Sequence, residues 1–404
     1  MHGDRPTKIL TINSGSSSLK FAIFQMGDSE SRPLSGKIDG IGLTHCNFHV
    51  KHADTGKTIE QSLQAADHEA AIQWLFAWLE KENLERDLHA VGHRVVHGGD
   101  RYSRPEFITP ELLATLRELV PLAPDHLPQE IKAIEAVSRA HPTLRQVACF
   151  DTAFHRTMPR LAQIYPLPRA LVDEGILRYG FHGLSYEYIV SALRPEAGDD
   201  AANGRLIIAH LGNGASMAAV RDGQSIDTTM GFTPLGGLMM STRSGDLDPG
   251  VLLYLLNEKK FSAERARQLV HLEAGLLGVS GRSADMEELL KRESSDPPAA
   301  EAVALFCYLA RKHLAALAAT LDGLDTLIFT AGIGENSPPI RSRICRGLDF
   351  LGILLDENQN EKNAAIISQA KSPVKVRVMK TNEELMIARH TRALLEMIVP
   401  GASH

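Results

Sequence analysis

Several features that mark common protein classes are missing from this chain of 404 residues. Its cysteines are far apart in sequence and form no Cys-x-x-Cys pair, which argues against a disulfide framework and against a zinc ribbon. It has no run of about eighteen apolar residues, and its first residues, "MHGDRPTK", lack the apolar core of a signal peptide. We therefore expect a soluble cytoplasmic protein without membrane association. The cysteines are Cys46, Cys149, Cys307 and Cys345.

An excess of positive charge is also missing. The 43 Lys and Arg residues are outnumbered by 49 Asp and Glu residues, and the net charge is −6. A general nucleic-acid binder would show a basic balance, so no nucleic-acid partner is expected. An anionic substrate would instead need local groups of Arg and Lys. The hydrophobic content of 44% is that of an ordinary globular protein, and the length predicts two domains.

Strands and helices alternate along the chain, which predicts an α/β fold. Apolar strands flank the turn Ser14–Ser18, and the same strand–turn–strand pattern recurs from residue 205, so two halves built on one plan are expected. Apolar residues at helical spacing predict helices over 67–83 and 301–321. The segment "DTLIFTAGIGENS" predicts a buried strand, a Gly-x-Gly turn and a helix that starts near Asn336 or Ser337. The segments 194–204 and 292–298 read as surface loops.

Four Gly- or Ser-rich loops are each predicted to follow an apolar strand. Backbone amides exposed at such a turn can bind phosphate oxygens, and glycine permits their close approach. Each loop taken alone is also compatible with a plain turn. No Walker sequence is present, and Gly332-Ile333-Gly334 lacks the third glycine of a dinucleotide-binding fingerprint. The loops are Ser14–Ser18, Gly212–Gly214, Gly236–Gly237 and Gly332–Gly334.

Basic residues near these turns are candidates for binding phosphate or carboxylate. Arg94 precedes a Gly-Gly pair, and Arg243 lies in "MMSTRSGDLDPG". An Arg side chain pairs two oxygens at once and stabilises charge on a transferring phosphoryl group. A surface salt bridge is the alternative for both, with Asp246 or Asp248 as partners for Arg243. Lys20 could reach the serine turn or point outward from its strand.

Carboxylates and histidines at strand ends complete the candidates. Asp151 and Glu383 follow apolar strands, where α/β proteins often place a metal ligand or a base; the alternative for Glu383 is a place in a helix that Asn382 caps. His182 and His210 lie beside Gly turns and could donate to a phosphoryl oxygen or be structural. The spacing of His89, His93 and His97 would suit zinc on a helix, but the segment reads as a strand, so zinc is not expected.

These motifs together resemble the acetate kinase family, the short-chain carboxylate kinase branch of the acetate and sugar kinase/actin superfamily. The matching stretches are collinear and span essentially the whole chain. They are "NSGSSSLK" (13–20), "GHRVVHGG" (92–99), "PLAP" (121–124), "FDTAFH" (150–155), "YGFHGLS" (179–185), "HLGNGAS" (210–216), "DTTMGFTPLGGLMMSTRSGDLDPG" (227–250), "TAGIGENS" (330–337) and "TNEELMIARHT" (381–391).

The resemblance implies an α/β fold of two domains with a duplicated actin-like ATPase (ribonuclease H-like) core around a central cleft. It implies an N-terminal acetokinase domain of residues 1–152 plus 385–404 and a C-terminal nucleotide-binding domain of residues 153–384. The implied reaction is the reversible, ATP-dependent phosphorylation of acetate to acetyl phosphate by direct in-line transfer, with Mg²⁺ or alternatively Mn²⁺. Propionate or butyrate is the alternative acceptor, and a homodimer is expected.

The resemblance also implies roles for individual residues. The catalytic group would comprise Asp151, His182, Arg243 and Arg94. The substrate would contact Arg94, Val96, Phe181, Pro234 and His126. The nucleotide and its phosphates would contact Ser16, Ser18, Lys20, His210, Leu211, Gly212, Asn213, Gly214, Asp285, Gly332, Ile333, Gly334, Glu335 and Asn336. The metal ion would be held by Asn13 and Glu383.

Three departures from the family pattern are visible. Asp125 stands beside His126 where the pattern often has an apolar residue, and "HLPQE" replaces the usual "HNPPN", which leaves the acyl preference open. Glu287 stands where an Arg near the nucleoside is usual, and Gly236 replaces an acidic residue. A nucleotide-binding regulator and a sugar kinase or polyphosphate phosphatase of related fold are alternatives. The joint presence of Arg94, Asp151, His182 and Arg243 argues against the regulator, since binding ATP alone requires none of them.

Overall fold

The structure is a computed structural model that describes residues 6–398. Residues 1–5 and 399–404, which the sequence-based division assigns to the N-terminal domain, lie outside the described residues. The chain divides into two compact units. The first contains the chain up to Ala153 together with the segment from Asn382, and the second is Phe154–Thr381.

The first part of the chain builds a sheet and three long helices. The strands are β1 Thr7–Ser14, β2 Ser18–Met26, β3 Glu30–Asp39, β4 Cys46–His52, β5 Thr58–Leu63, β6 Leu88–Val95, β7 Glu106–Phe107 and β8 Arg145–Phe150. The helices are α1 His68–Lys81, α2 Pro110–Glu118 and α3 Leu127–Ala140.

The rest of the chain is richer in helix. Its helices before the second sheet are α4 Arg160–Gln163, α5 Arg169–Asp173, α6 Gly183–Ala197 and α7 Asp199–Asn203. Its strands are β9 Leu206–Leu211, β10 Ala215–Arg221, β11 Gln224–Thr228, β12 Thr326–Thr330 and β13 Lys375–Val378. The remaining helices are α8 Pro249–Asn257, α9 Ala263–Gln268, α10 Gly275–Ser280, α11 Met286–Arg292, α12 Pro297–Thr320, α13 Ala331–Asn336, α14 Pro338–Cys345, α15 Glu357–Glu361 and α16 Glu383–Ile398.

The first unit is an eight-stranded sheet in the order β5-β4-β3-β2-β1-β6-β8-β7. Phe21 and Phe48 face a core formed with α1 and α3, whereas Phe24 on the opposite face packs with Ala388 of α16. Strands β1, β6 and β8 run parallel to one another. Because they are parallel, their carboxyl ends meet at one edge of the sheet, where ligands bind in α/β proteins.

The second unit repeats this plan. Its five-stranded sheet has the order β11-β10-β9-β12-β13, which matches β3-β2-β1-β6-β8 of the first unit. In each unit an antiparallel hairpin is followed by parallel strands, and in the second unit β12 pairs in parallel with both β9 and β13. The α/β class and the repeated strand–turn–strand plan predicted from the sequence are confirmed.

The two long predicted helices are confirmed. Asp67 caps α1 by accepting from Ala70 N at 3.0 Å, and the predicted apolar face is buried. Helix α12 starts earlier than predicted because Asp296 caps it and proline occupies its first turn. Length and composition alone would let α12 cross a membrane, and 44% of its most apolar window is buried inside the protein.

Three local predictions were wrong. Gly332–Gly334 is not a turn but part of α13. Two side chains of this helix stabilise it despite its glycines: Glu335 Oε1 accepts from Ala331 N at 2.9 Å, and Asn336 Nδ2 donates to Gly332 O at 2.9 Å. The segment 194–204 is largely helical, in α6 and α7. Gly236–Gly237 does not directly follow a strand but lies within the long connection between β11 and α8.

Candidate active site

In the first unit, Arg94 is held by two predicted site residues at the carboxyl ends of β1, β6 and β8. Its Nε donates to Asp151 Oδ1 at 3.1 Å and its Nη2 donates to Asp151 Oδ2 at 2.5 Å. Its Nη1 donates to Asn13 Oδ1 at 3.3 Å. The side chains of Arg94 and Asp151 are only 13% and 0% exposed, so this is a buried bidentate ion pair rather than a surface salt bridge.

Two further carboxylates interact with Arg94. Burial raises the pKa of Glu383, and Arg94 opposes that shift. Burial likewise raises the pKa of Glu130 to about 8. Burial disfavours the charge of Arg94, but Asp151 and Glu383 raise its pKa overall. Arg94 thus lies among buried carboxylates, and burial, which Arg94 only partly opposes, makes Glu130 and Glu383 hold their protons more tightly.

Glu130 was not among the residues singled out from the sequence. It is 2% exposed, its Oε2 accepts from Val96 N at 3.0 Å, and its buried Oε1 has no hydrogen-bond partner among the described residues. The sequence signal for it is the "HLPQE" departure from the family pattern, whose last residue is Glu130. This contact brings Val96 to α3, whose N-cap is His126.

The serine turn leads into the strand that carries Lys20. Gly15 N donates to Ser18 O at 2.8 Å, and His68 Nε2 donates to Gly15 O at 2.8 Å, so Ser16 lies in a closed turn. Lys20 lies directly opposite Asn13 in the β1–β2 register. The turn is therefore a true hairpin turn, and Lys20 lies beside the Asn13 end of β1.

The predicted metal ligands of the first unit are both oxygen donors. Among the described residues, no group of three or more His, Cys, Asp and Glu side chains could hold a metal ion. His93 instead donates from Nε2 to Gln146 Oε1 at 2.8 Å, and burial lowers its pKa to about 4. Asn13 and Glu383, which both interact with Arg94, offer two oxygen donors, the small set with which Mg²⁺ usually combines water and phosphate.

In the second unit, His182, His210 and Arg243 lie around Gly214. The rings of His182 and His210 stack with centroids 4.1 Å apart and an interplanar angle of 16°. A Cβ atom built on Gly214 would lie 2.8 Å from Arg243 Nη2 and 3.2 Å from His182 Nε2. A side chain at position 214 would therefore push the ends of Arg243 and His182 away from this turn, which follows β9 at His210 and Leu211.

The segment with Arg243 is fixed by its own hydrogen bonds. Arg243 Nη1 donates to Pro234 O at 2.7 Å. Ser241 N donates to Asn213 O at 3.2 Å, which ties this segment to the Gly212–Gly214 turn. The proposed partners of a surface salt bridge are engaged elsewhere: Asp246 Oδ1 accepts from Gly237 N at 2.7 Å, and Asp248 caps α8.

Helix α13 lies next to the same turn. A Cβ atom on Gly212 would lie 3.7 Å from Ala331 Cβ and 4.0 Å from Gly332 N. The fully buried Arg341 donates to Gly334 O at 2.9 Å and to Glu335 O at 3.1 Å, and so holds the last turn of α13. The structure thus brings the predicted residues Gly332, Ile333, Gly334, Glu335 and Asn336 beside the Gly212–Gly214 turn.

Two predicted residues of the second unit have structural contacts. Phe181 is buried, and its carbonyl accepts from His155 Nε2 at 3.0 Å. Asp285 is the N-cap of α11, where it accepts from Glu288 N at 2.9 Å. Glu287, which stands where an Arg is usual, pairs with Lys291 on the same helix.

Comparison with known proteins agrees with this arrangement. The model of the acetokinase family matches residues 8–389. The chain belongs to the acetokinase family. It is therefore a kinase, a phosphotransferase with a carboxyl group as acceptor.

Individual family members are similar over nearly their whole length. The acetate kinase of Rhodopseudomonas palustris (strain TIE-1) is 47% identical over 396 residues, which cover 96% of this chain and 98% of the relative. The crystal structure of Porphyromonas gingivalis acetate kinase is 36% identical with a TM-score of 0.87, covering 96% of this chain and 100% of that one. A propionate kinase structure from Francisella tularensis is 35% identical with a TM-score of 0.89, covering 95% and 98%. These structures confirm the predicted fold class.

Proposed function

We propose that this acetokinase family member catalyses the reversible, ATP-dependent phosphorylation of acetate to acetyl phosphate. The observation that carries the proposal is the convergence of Arg243 and His182 on the Gly214 turn. A cation and an imidazole at a glycine turn after a strand form a place where a phosphoryl group would find both charge and hydrogen-bond donors. The similarity to acetate kinases along the whole chain supports the same reaction.

The acceptor carboxylate is proposed to bind Arg94. Three of the five guanidinium N–H groups are used by Asp151 and Asn13, which leaves one N–H on each Nη nitrogen. Asp151 then acts by orienting the guanidinium. It need not act as an acid or a base, because acetate is already ionised at neutral pH and the reaction requires no strong base.

Catalysis in this proposal consists of bringing two anions together. Arg94 neutralises the acceptor, while Arg243 and His182 stabilise the charge on the transferring phosphoryl group, so transfer is direct and in line. The nucleotide is proposed to contact the segments His210–Gly214 and Gly332–Asn336, with Asp285 near the nucleoside. Lys20 and the hydroxyls of Ser16 and Ser18 are proposed to contact phosphate.

Mg²⁺ is proposed to bind at Asn13 and Glu383. When bound, it would neutralise phosphate charge and orient the phosphate oxygens. Burial raises the pKa of Glu383 although Arg94 opposes the shift, and a bound cation would favour the ionised form of this carboxylate. Mn²⁺ has the same preference for oxygen ligands and is the alternative ion.

Hydroxylamine trapping tests the proposed reaction and separates it from the alternatives. The full chain is incubated with ATP, Mg²⁺ and hydroxylamine, and with acetate, propionate, butyrate or glycerol in turn. Acyl hydroxamate from acetate confirms the proposal. A larger yield from propionate, the acceptor named for the similar structure from Francisella tularensis, would favour the propionate kinase alternative. Release of ADP with glycerol but no hydroxamate from any carboxylate would contradict both.

A homodimer is proposed from the surface of the second unit. Helix α8, "PGVLLYLLN", has no buried residue, and Leu253 and Tyr254 are 58% and 52% exposed. Leu247 and Leu272 are also exposed. Monomeric proteins seldom leave so apolar a helix in water, and a second copy of the chain could cover it through a two-fold interface.

A further inference from the structure

We propose that Tyr186 and Ser216 form a hydroxyl pair that positions His182 and fixes which of its ring nitrogens carries the proton. Ser216 Oγ lies 2.8 Å from His182 Nδ1, and Tyr186 Oη lies 2.5 Å from Ser216 Oγ. Neither hydroxyl was singled out from the sequence. The inference rests on the proposed function and names two positioning residues for its phosphoryl site.

The pair is built from two rigid elements of the second unit. Tyr186 lies in the first turn of α6 and Ser216 lies on β10, and both side chains are fully buried at 0% exposure. His182 is the N-cap of α6 and has the left-handed backbone angles φ 60° and ψ 24°, which non-glycine residues seldom adopt. Such a conformation persists only where surrounding contacts hold it, and it is common at functional sites. The bond from Nδ1 to Ser216 is one of these contacts.

The geometry directs the other ring nitrogen toward the glycine turn. Nδ1 faces Ser216, whereas Nε2 lies on the side of Gly214, where Arg243 Nη2 also lies. When Tyr186 donates to Ser216 and Ser216 donates to Nδ1, the proton of a neutral imidazole must be on Nε2. His182 can then donate a hydrogen bond from Nε2 to a phosphoryl oxygen at the turn.

Titratable and charged groups face His182 from several of the elements packed around it. His210 stacks on it from β9, and Arg243 lies beside the same glycine from the connection between β11 and α8. Tyr186 and Ser216 are the groups from α6 and β10, and His155 packs edge-on against Tyr186 with ring centroids 5.5 Å apart.

A second hydroxyl chain holds the stacked partner in the same way. Ser185 Oγ lies 2.8 Å from His210 Nδ1 and 2.8 Å from Thr381 Oγ1. Thr381 N donates to Glu335 Oε1 at 3.2 Å, which links these hydroxyl groups to α13. Because the hydrogen bonds of His210 are separate, loss of the Tyr186 or Ser216 hydroxyl should disturb His182 without breaking the hydrogen bond of His210 to Ser185.

The experiment compares Tyr186→Phe and Ser216→Ala with Tyr188→Phe, a matched control on the same helix. We expect kcat to fall about tenfold in Tyr186→Phe and somewhat more in Ser216→Ala, with the KM values for nucleotide and carboxylate within about twofold of the wild type, since a positioning hydrogen bond contributes on the order of a tenfold effect. The pH profile of kcat should shift in both variants and stay unchanged in Tyr188→Phe.

A second readout does not depend on the reaction. Nitrogen NMR of histidine-labelled protein, with the His182 signal assigned by its loss in His182→Gln, reports the protonated ring nitrogen directly. We expect the Nε2–H form in the wild type and a change in the His182 signals in Ser216→Ala or Tyr186→Phe. Unchanged His182 signals in both folded variants would overturn the positioning role even if acyl phosphate is never formed. If the His182 signals change in the variants as expected but the wild type forms no acyl phosphate, the proposed function is contradicted and the positioning role is not.

Discussion

Asp151 binds Arg94 through both carboxylate oxygens, at 3.1 Å and 2.5 Å, at the end of two neighbouring parallel strands. The pair fixes the plane of the guanidinium and leaves its remaining N–H groups for a ligand. A carboxylate used in this way contributes orientation, and its effect on a reaction is indirect. Whether Asp151 acts by orienting Arg94 can be tested by removing the charge of Asp151 while keeping its shape.

Asp151→Asn should lower kcat/KM for acetate by about 10²-fold. The amide removes one of the two ion-pair oxygens and leaves Arg94 less constrained, and loss of orientation costs on this scale. Hydroxamate kinetics at saturating ATP measure the effect. Asp54→Asn, a change at an exposed residue, is the control and should retain wild-type rates. Full activity in Asp151→Asn would refute the orienting role.

Arg243→Ala should lower turnover by about 10³-fold or more, because an Arg that stabilises a transferring phosphoryl group contributes on this scale. The KM for acetate should change much less, since Arg243 acts on the other reactant. Initial rates in both directions of the reaction measure this. Arg169→Ala, at an exposed position of the same unit, serves as the control. Turnover near that of the wild type in Arg243→Ala would rule out its proposed role.

Glu130 should make the protein less stable as the pH rises. Burial raises its pKa to about 8 in the folded protein, above the ordinary value of 4.5, so the folded state binds the extra proton between these values. The unfolded chain binds fewer protons in that range, and the free energy of unfolding therefore falls as the pH rises from about 4.5 to about 8.

Glu130→Gln should remove this part of the pH dependence while keeping an acceptor for Val96 N. At pH 9 we expect the variant to unfold about 5 °C higher than the wild type, with little difference at pH 5. Thermal unfolding across this range measures it. Glu361→Gln, at an exposed position, should follow the wild-type curve. Parallel curves for the wild type and Glu130→Gln would contradict the buried-proton interpretation.

Glu383→Gln should raise the Mg²⁺ concentration required for half-maximal activity at least about tenfold, because even the loss of a residue that supports a metal ligand weakens metal affinity by 10- to 100-fold. Mg²⁺ titrations at fixed ATP measure the shift. Glu396→Gln, at an exposed position of the same helix, is the control. If Glu383→Gln requires the same Mg²⁺ concentration as the wild type, Glu383 is not a metal ligand.

Leu253→Asp should weaken self-association about tenfold or more, since burial of a leucine side chain contributes about 1.5–3 kcal/mol and a buried carboxylate adds a penalty. Sedimentation equilibrium compares the variant with the wild type. Leu43→Asp changes a leucine that is 67% exposed in the first unit and should leave association unchanged. A monomeric wild type, or a variant that dimerises equally well, would argue against an interface at α8.

The sequence alone determined the class of fold, its repeated plan and the family. Apolar periodicity is local, so β1, β2, β9, β10, α1 and α12 could be predicted from residues close in the chain. The motifs around Asn13, Arg94, Asp151, His182 and Arg243 identified the family because short stretches preserve their residue types.

Only the tertiary structure decided how side chains from distant positions meet. Glu130 is 34 residues from Val96 and Ser216 is 34 residues from His182, so no local pattern signalled either contact. The helical form of Gly332–Gly334 depends on the side chains of Glu335 and Asn336 and on the buried Arg341, which outweigh the low helix propensity of glycine. Burial, proton affinity and hydrogen-bond partners arise from packing, and packing joins residues that the sequence keeps apart.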